Sequence, residues 1–351
     1  MALLRDLKIL TACIAVLTVL AVGTVLSAAQ NVFLPLMIAW ILSYLLTPAV
    51  RFVTTRLKIP VELTTIVALA GLLWLATLAG GFLSQRLGGF VDAFPVYFDR
   101  LTGIAKDLSD RLGVSGDFLK SVDWGGQLRS YLFSLSGSIV TITSKTVMVI
   151  VFLLFILIGS PYAEYKVRKA FPTNSTQVLN ILDSISSQIG RFLSVMTLIS
   201  AATGLCVWMA LSMIGVDFAS TWGLLAFVLN YIPTVGSIVA SIPPIMVSLV
   251  QFYPSTFQPV LTVAAILVIQ VTIGNIITPK VMGDNMNLSP VIILVSLLMW
   301  GWLWGVAGAL LSMPIAGIIK IVCDNVDSLR MLSVLMSAGK SFQKEFEGES
   351  R

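Results

Sequence analysis

The chain has 351 residues, of which 57% are hydrophobic and only 11% charged, with a net charge of +5. A soluble domain carries about 25% charged residues, so the composition excludes an ordinary soluble enzyme and points to a multi-pass membrane protein. There is no histidine, which removes His-based triads, His metal centres and His proton relays. Cys13, Cys206 and Cys323 lie far apart and offer neither a disulfide framework nor metal-ligand spacing.

The first apolar run, Ile9–Ala29, follows Arg5 and Lys8. It exceeds the roughly 7–15 apolar residues of a signal peptide, so it reads as an uncleaved span. A second span covers about Val32–Val50 and is followed by Arg51, Arg56 and Lys58. A third covers about Leu63–Leu83. From Arg86 to Arg129 acidic and basic residues are mixed evenly, and Phe90, Phe94, Tyr97, Leu101, Ile104 and Leu108 recur at helical steps. That face predicts a helix packed on its own surroundings, with a lid or oligomer contact as the other reading. Span four covers about Ser138–Ile158, before Glu164, Lys166, Arg168 and Lys169. A second amphipathic stretch (Val178, Ile181, Ile185, Ile189, Phe192) predicts a helix along the bilayer surface before span five, Phe192–Ile214.

The next part of the chain is the most informative. Between Asp217 and Lys280 lie 62 residues without a charge, and between Asp284 and Lys320 another 35. Phe218–Val250 is interrupted by Pro233, Gly236, Pro243 and Pro244; span seven is Val260–Ile277; Pro290–Ile319 is interrupted by Gly301, Gly305, Gly308 and Pro314. Each interrupted segment has about 30 residues, roughly 45–50 Å as one helix, against a hydrocarbon core of about 30 Å. Two arms of about 15 residues fit better, turning near Pro233–Gly236 and near Gly301–Gly305. Tilted or kinked spans are the alternative. Basic clusters place both termini and Lys280 on the cytoplasmic side and the 86–129 region outside. The expected fold is an all-α membrane protein with about six full transmembrane helices, two broken or re-entrant hairpins and a small extracytoplasmic helical insert. Its parts are N-terminal transmembrane helices (1–84), the insert (85–137), a span with a cytoplasmic interfacial helix (138–190), a core transport region (191–322) and a cytoplasmic tail (323–351).

Polar groups at membrane depth are functional suspects. Asn230 precedes the first break, and Gln270 and Asn275 lie in span seven, five residues apart and so off a common α-helical face. Interhelical hydrogen bonding explains each amide singly; together beside broken backbone they suggest a pocket for a neutral, hydrogen-bonding solute. Lys145 in span four either snorkels to the interface or lines the path. Asp217 and Asp284 fall at predicted segment ends and are the carboxylates nearest the membrane core, along with Glu62. Trp300, Trp302 and Trp304 sit at the second tip, where interface anchoring is the simpler reading. No cofactor, metal site or nucleic-acid surface is implied, and no Gly-rich Lys-Ser/Thr phosphate loop is present.

The runs TWGLLAFVLNYIPTVGSIVASIPPI (Thr221–Ile245) and GNIITPKVMGDNMNLSPVIILVSLLMWGWLWGVAGALLSMPIAGIIKI (Gly274–Ile321) resemble the autoinducer-2 exporter family of bacterial membrane proteins. The resemblance implies a bacterial inner-membrane transporter forming homo-oligomers, pentamers among them. It carries over Asn230, Tyr231, Pro233, Gly236, Pro243 and Pro244 in the first run. In the second it carries over Gly274, Asn275, Pro279, Gly283, Ser289, Pro290, Gly301, Gly305, Gly308 and Pro314. Some members of that family look like sodium/proton antiporters, but the family's acidic residue before the Pro of the span-seven motif is here Thr278. The reading is export of a small polar organic molecule such as autoinducer-2 along a path lined by the two broken segments. A Na⁺ or Li⁺/proton antiporter is the alternative, and a non-transporting scaffold a third.

Overall fold

The computed structural model describes residues 10, 14, 17, 18, 20–112, 146–232, 235–282 and 287–339. Most of the expected first span, the 113–137 part of the insert, Lys145, Pro233, Gly283, Asp284 and the tail from 340 lie outside the described residues. Those described form an all-α fold. Among the described residues six helical segments are long and apolar enough, by length and composition, to cross a membrane, although one of them, Pro290–Asn325, doubles back within its length. Their outward faces carry large apolar side chains, among them Phe155 (70% exposed), Leu198 (69%) and Met213 (89%). Such a surface suits hydrocarbon and not water.

The elements are α1 (described over 20–28), α2 (Gln30–Leu57), α3 (Val61–Leu112), α4 (Thr146–Ala170, with a 3₁₀ turn at Ser160–Tyr162), α5 (Ser175–Ile214), α6 (Ala219–Leu229), α7 (Val235–Gln251), α8 (Phe257–Val281), α9 (Pro290–Asn325) and α10 (Arg330–Met336). They fall into two compact units. One contains Met1–Thr65, Lys145–Gly190 and Met286–Arg351; the other contains Ile66–Ser144 and Arg191–Asn285.

Two expected boundaries dissolve. The third span and the amphipathic stretch after it are a single 52-residue helix, α3. The stretch expected to lie on the bilayer before span five is likewise the first part of the unbroken 40-residue α5. In both cases the surface chemistry changes, but no proline or left-handed residue sits at either junction to stop the helix, and the glycines there (Gly80, Gly81, Gly88 and Gly89 in α3, Gly190 in α5) stay helical. The α2–α3 junction does have such a signal: Lys58 adopts a left-handed conformation (φ 53°) and Pro60 precedes α3.

In the second unit, α6 and α7 pack together as a helical hairpin. At about 16 Å and 25 Å, neither arm crosses a 30 Å core. Its described turn satisfies its own backbone: Asn230 N–H donates to Ala226, Ile232 N–H to Leu229, and Gly236 N–H to Ile232 (3.0, 2.9 and 3.1 Å). Gly236 makes the tight return possible, because a Cβ there would lie 1.8 Å from the Leu229 carbonyl oxygen. Pro243 and Pro244, expected to break this segment, sit inside a continuous α7.

The first unit contains a second hairpin inside α9. Gly305 has φ 64° and ψ −145°, a conformation open to glycine alone. The chain doubles back there: Ser296 Oγ donates to the Ser312 carbonyl (2.8 Å), although 16 residues of straight helix would separate them by about 24 Å. A kinked span is therefore the wrong description. Gly308 repeats the device of Gly236, with the position of a Cβ only 1.9 Å from the Trp300 carbonyl oxygen. Trp304 is buried, stacks near Trp300 (4.9 Å) and donates Nε1–H to the Leu26 carbonyl (3.2 Å). It is a packing residue and not an interface anchor, whereas Trp302 is 86% exposed.

The C-terminal segment fastens both ends of this hairpin. Ser289 N–H donates to the Met336 carbonyl (2.8 Å) and Ala338 N–H to that of Asn287 (3.2 Å). At the other end Lys320, 5% exposed, reaches Asp324 (2.5 Å) and Ser333 (2.9 Å). Ser333 also donates to Asp324.

Two predictions follow from this packing. Gly236→Ala and Gly308→Ala each drive a methyl into a carbonyl and should cost about 3 kcal/mol or more. Gly71→Ala, with open space at its Cβ, should be neutral or slightly stabilising, as read by thermal unfolding in detergent. Asp324→Ala strands a buried ammonium and should lower stability by about 3 kcal/mol. Lys320→Met releases a carboxylate whose side chain is 43% exposed and should cost only about 1 kcal/mol.

Candidate functional site

The first hairpin is held at its tip and at its feet, and these ties define the candidate site. At the tip, Asn230 Nδ2 donates to Ser200 Oγ (3.0 Å), and the Tyr231 hydroxyl shares a hydrogen bond with Thr197 Oγ1 (2.7 Å). Thr197 and Ser200 are three residues apart on α5, so one face of that helix receives both. Among the described residues the remaining hydrogen-bonding capacity of the Asn230 amide is unused. It can serve a solute while its Nδ2 stays tethered.

At the feet, Gln251 ends α7 and bridges back to the start of the hairpin. Its Oε1 accepts from Asp217 N–H and its Nε2 donates to the Gly215 carbonyl, both at 2.9 Å. Trp222 Nε1–H donates to the Asp217 carbonyl (2.9 Å). The extension of α3 straps both feet: Tyr97 donates its hydroxyl proton to Asp217, and Tyr253 donates to Asp107. Phe90 packs edge-on to Phe218 and Trp222 (5.5 and 5.0 Å). The amphipathic face read from the sequence is thus the face that grips the hairpin. Farther along α7, Ser248 and Thr262 are fully buried and hydrogen-bonded to each other (3.0 Å), joining α7 to α8.

Helix α8 changes character after Gln270. Val271–Ile277 is a π-helix, and Thr278 Oγ1 donates to the Ile273 carbonyl five residues back (2.7 Å). Pro279 supplies the cause: its ring would clash with the carbonyl of Asn275 in an α-helix, and widening the turn relieves that contact. The widening has a second effect. In a π turn, residues about five apart stack along the axis, so Gln270 and Asn275 come toward a common face. The α-helical spacing had set them apart. Gln270 is half-buried; Gly274, Asn275 and Pro279 are exposed. Among the described residues no hydrogen bond links Asn230 with Gln270 or Asn275.

The remaining sequence candidates divide by unit. Pro243 is half-buried and Pro244 buried within α7, and Asp217 sits at the feet of the hairpin. Gly301, Gly305 and Pro314 belong to the second hairpin, where Pro314 is buried and Gly305 is the turning point. Pro233, Lys145 and Asp284 are outside the described residues.

The sequence matches a family model for AI-2E family transporters over residues 10–328. The chain belongs to the AI-2E family of transporters. Several characterised or named members are similar along most of their length. A Borreliella burgdorferi protein with a provisional transport assignment is 33% identical over 89% of this chain and 86% of its own. The AI-2 transport protein TqsA of Escherichia coli is 30% identical over 88% of this chain and 90% of its own. YhhT of Escherichia coli, also provisionally a transport protein, is 29% identical over 89% and 90%.

For an AI-2E transporter, several of the groups that hold the hairpins are easy to overlook in the sequence. Thr197, Ser200 and Gln251 are neutral residues inside apolar stretches. Hydroxyls spaced three apart on α5, and an amide at the C-terminal end of the apolar α7, are the signals that point to them.

Tyr97 lies beyond the apolar part of α3, and its hydroxyl is pushed above the ordinary tyrosine value near 10. Burial is the main cause, reinforced by the hydrogen bond and negative charge of Asp217 and opposed by Arg100. A raised folded-state value means the contribution of this tie is complete below pH 10 and is lost as pH rises above it. Thermal stability should therefore fall between pH 9.5 and pH 11 (roughly spanning the normal tyrosine range) more steeply in the natural protein than in Tyr97→Phe.

Proposed function

We propose that the chain exports a small, uncharged, polar organic solute across the bacterial inner membrane, with autoinducer-2 as the solute of choice. The observation that carries this reading is the chemistry of the hairpins. From 218 to 279 and from 285 to 319 the chain has no charged residue, and the polar groups that it sets there are amides and hydroxyls. Such groups exchange hydrogen bonds with a polyhydroxylated solute at little desolvation cost. Ion-coupled exchange requires a carboxylate at depth, and that is missing from both stretches. The similarity to TqsA, named for AI-2 transport, supports the choice of solute.

In this reading the free side of the Asn230 amide, with Gln270 and Asn275 on the π-widened face of α8, offers hydrogen bonds along the path. Gly305 and the 230–232 turn supply the bending points. Both termini face the cytoplasm, and the protein works as a homo-oligomer, pentameric by family resemblance. The reaction needs no cofactor.

The test is efflux of autoinducer-2 from proteoliposomes, with and without pH or sodium gradients. Gln270→Leu/Asn275→Leu removes amides that have no hydrogen-bond partner among the described residues, so folding should persist, and efflux should fall about tenfold, equivalent to roughly 1.4 kcal/mol. Adding Asn230→Leu should deepen the loss. Undiminished efflux in a triple variant with an unchanged melting temperature would overturn the proposal.

A further inference from the structure

Beside the feet of the first hairpin lies an open cleft of about 650 Å³. One wall is a single stripe of α3, with Arg86, Ala93, Tyr97 and Arg100 at helical spacing. The opposite wall is the end of α5, with Trp208 and Ser212, and the first turn of α6, with Ser220. The cleft is as polar as it is apolar in chemistry, unlike the lipid-facing flanks of the same helices.

The charges in this cleft are one-sided. Arg86 and Arg100 line it, and neither has an ion-pair partner among the described residues. The one carboxylate facing it, Asp217, already accepts the Tyr97 hydroxyl proton. Asp92 and Asp99, also on α3, are not among the lining residues. Arginines at the end of a membrane helix are ordinary. Two of them sharing one stripe with a half-buried tyrosine, over a cavity of solute size, are not. They are 14 residues apart, about 21 Å along the axis. Their side chains thus approach the cleft from its two ends, with the Tyr97–Asp217 pair between them.

From this geometry we propose that the cleft is a binding site for an anionic oxygen group, phosphate or carboxylate, on an organic molecule lying along α3. The guanidinium at either end provides charge-assisted, forked hydrogen bonds to such a group. Ser212 and Ser220 supply neutral donors. The first turn of α6, which no side chain caps, adds the positive end of its dipole. Asp217 sets the strength: its charge opposes an anion, and the bond from Tyr97 fixes it in place. The site is distinct from the amides of the proposed solute path and stands whether or not those amides carry a neutral solute. The anionic group can come from a soluble molecule or from the headgroup of a lipid, since Arg86 lies just beyond the apolar Val61–Phe82 part of α3.

The experiment uses the full chain in phosphatidylcholine nanodiscs, titrated with inorganic phosphate and with pyrophosphate by calorimetry. Saturable binding that weakens with salt is expected, with pyrophosphate the tighter ligand. Arg86→Gln or Arg100→Gln should weaken it about tenfold or more at the end of the cleft that the lost guanidinium serves, and the double variant should abolish it. Asp217→Asn keeps an acceptor for Tyr97 while removing the opposing charge, and should tighten binding several-fold, a gain that misfolding cannot imitate. A parallel arm compares nanodiscs containing phosphatidylglycerol. Loss of phosphate binding there, with lipid retained by the natural protein and released by the arginine variants in native mass spectrometry, assigns the site to a headgroup. Undisturbed phosphate binding assigns it to a soluble anion. Either result supports the site. No saturable binding of phosphate, pyrophosphate or phosphatidylglycerol would overturn it, as would binding unaffected by all three substitutions. Because the readout is binding without flux, failure here leaves the efflux test unaffected, and failure there leaves this one standing.

Discussion

The architecture depends on reversing the chain within an apolar stretch without leaving backbone polar groups bare. In hydrocarbon each unsatisfied N–H or C=O costs several kcal/mol, so a reversal must be tight enough to serve itself. Gly236 and Gly308 meet that demand in the same way. Each lies just past a turn and sits against a carbonyl seven or eight residues earlier, where any larger residue would collide. The neighbours differ, Leu229 and Ile232 at one and Trp300 and Trp304 at the other, yet the contact is the same. The inverted arrangement of broken segments in other transporters rests on the same restriction of irregular backbone to protected places.

A hairpin that does not cross the membrane has one free end, and here that end is tethered selectively. Asn230 and Tyr231 fasten the first tip to α5 through two hydroxyls, and Trp304 fastens the second near its turn to Leu26. The feet are bound more heavily: Gln251 and the two tyrosine–carboxylate bonds at the first hairpin, the C-terminal segment and Lys320–Asp324 at the second. Few, directional bonds at the tips and many at the feet make the tips the parts with least to lose on moving. Transport by small tip displacements fits this distribution better than transport by unfolding of whole arms.

Much of this was legible in the sequence. Segment length set against bilayer thickness, together with the position of Gly and Pro, gave both hairpins and their turning points. The amphipathic face Phe90–Phe94–Tyr97 was visible too, but what it grips was not, because the partner Phe218 lies more than a hundred residues away. Helix ends were misplaced where chemistry changed and glycines clustered but no proline or left-handed residue stopped the helix, as in α3 and α5. The geometry of Gln270 and Asn275 was misjudged because a proline four residues downstream of Asn275 converts the local period, and α-helical arithmetic no longer applies. Lys320 escaped notice because burial of a single lysine depends on Asp324 and Ser333 arriving together, which only the folded chain arranges.

The unbroken course of α3 has a mechanical implication. A helix resists bending far better than a loop, and α3 enters from the apolar layer and continues past Arg86 to grip Asp217 through Tyr97 and Tyr253 through Asp107. Those two grips are ten residues, about 15 Å, apart along one rod. Both grips lie beyond the lipid-embedded Val61–Phe82 part, so a change in its tilt would carry the two feet of the hairpin the same way. The helix thus couples the orientation of its lipid-embedded part to the feet of the hairpin.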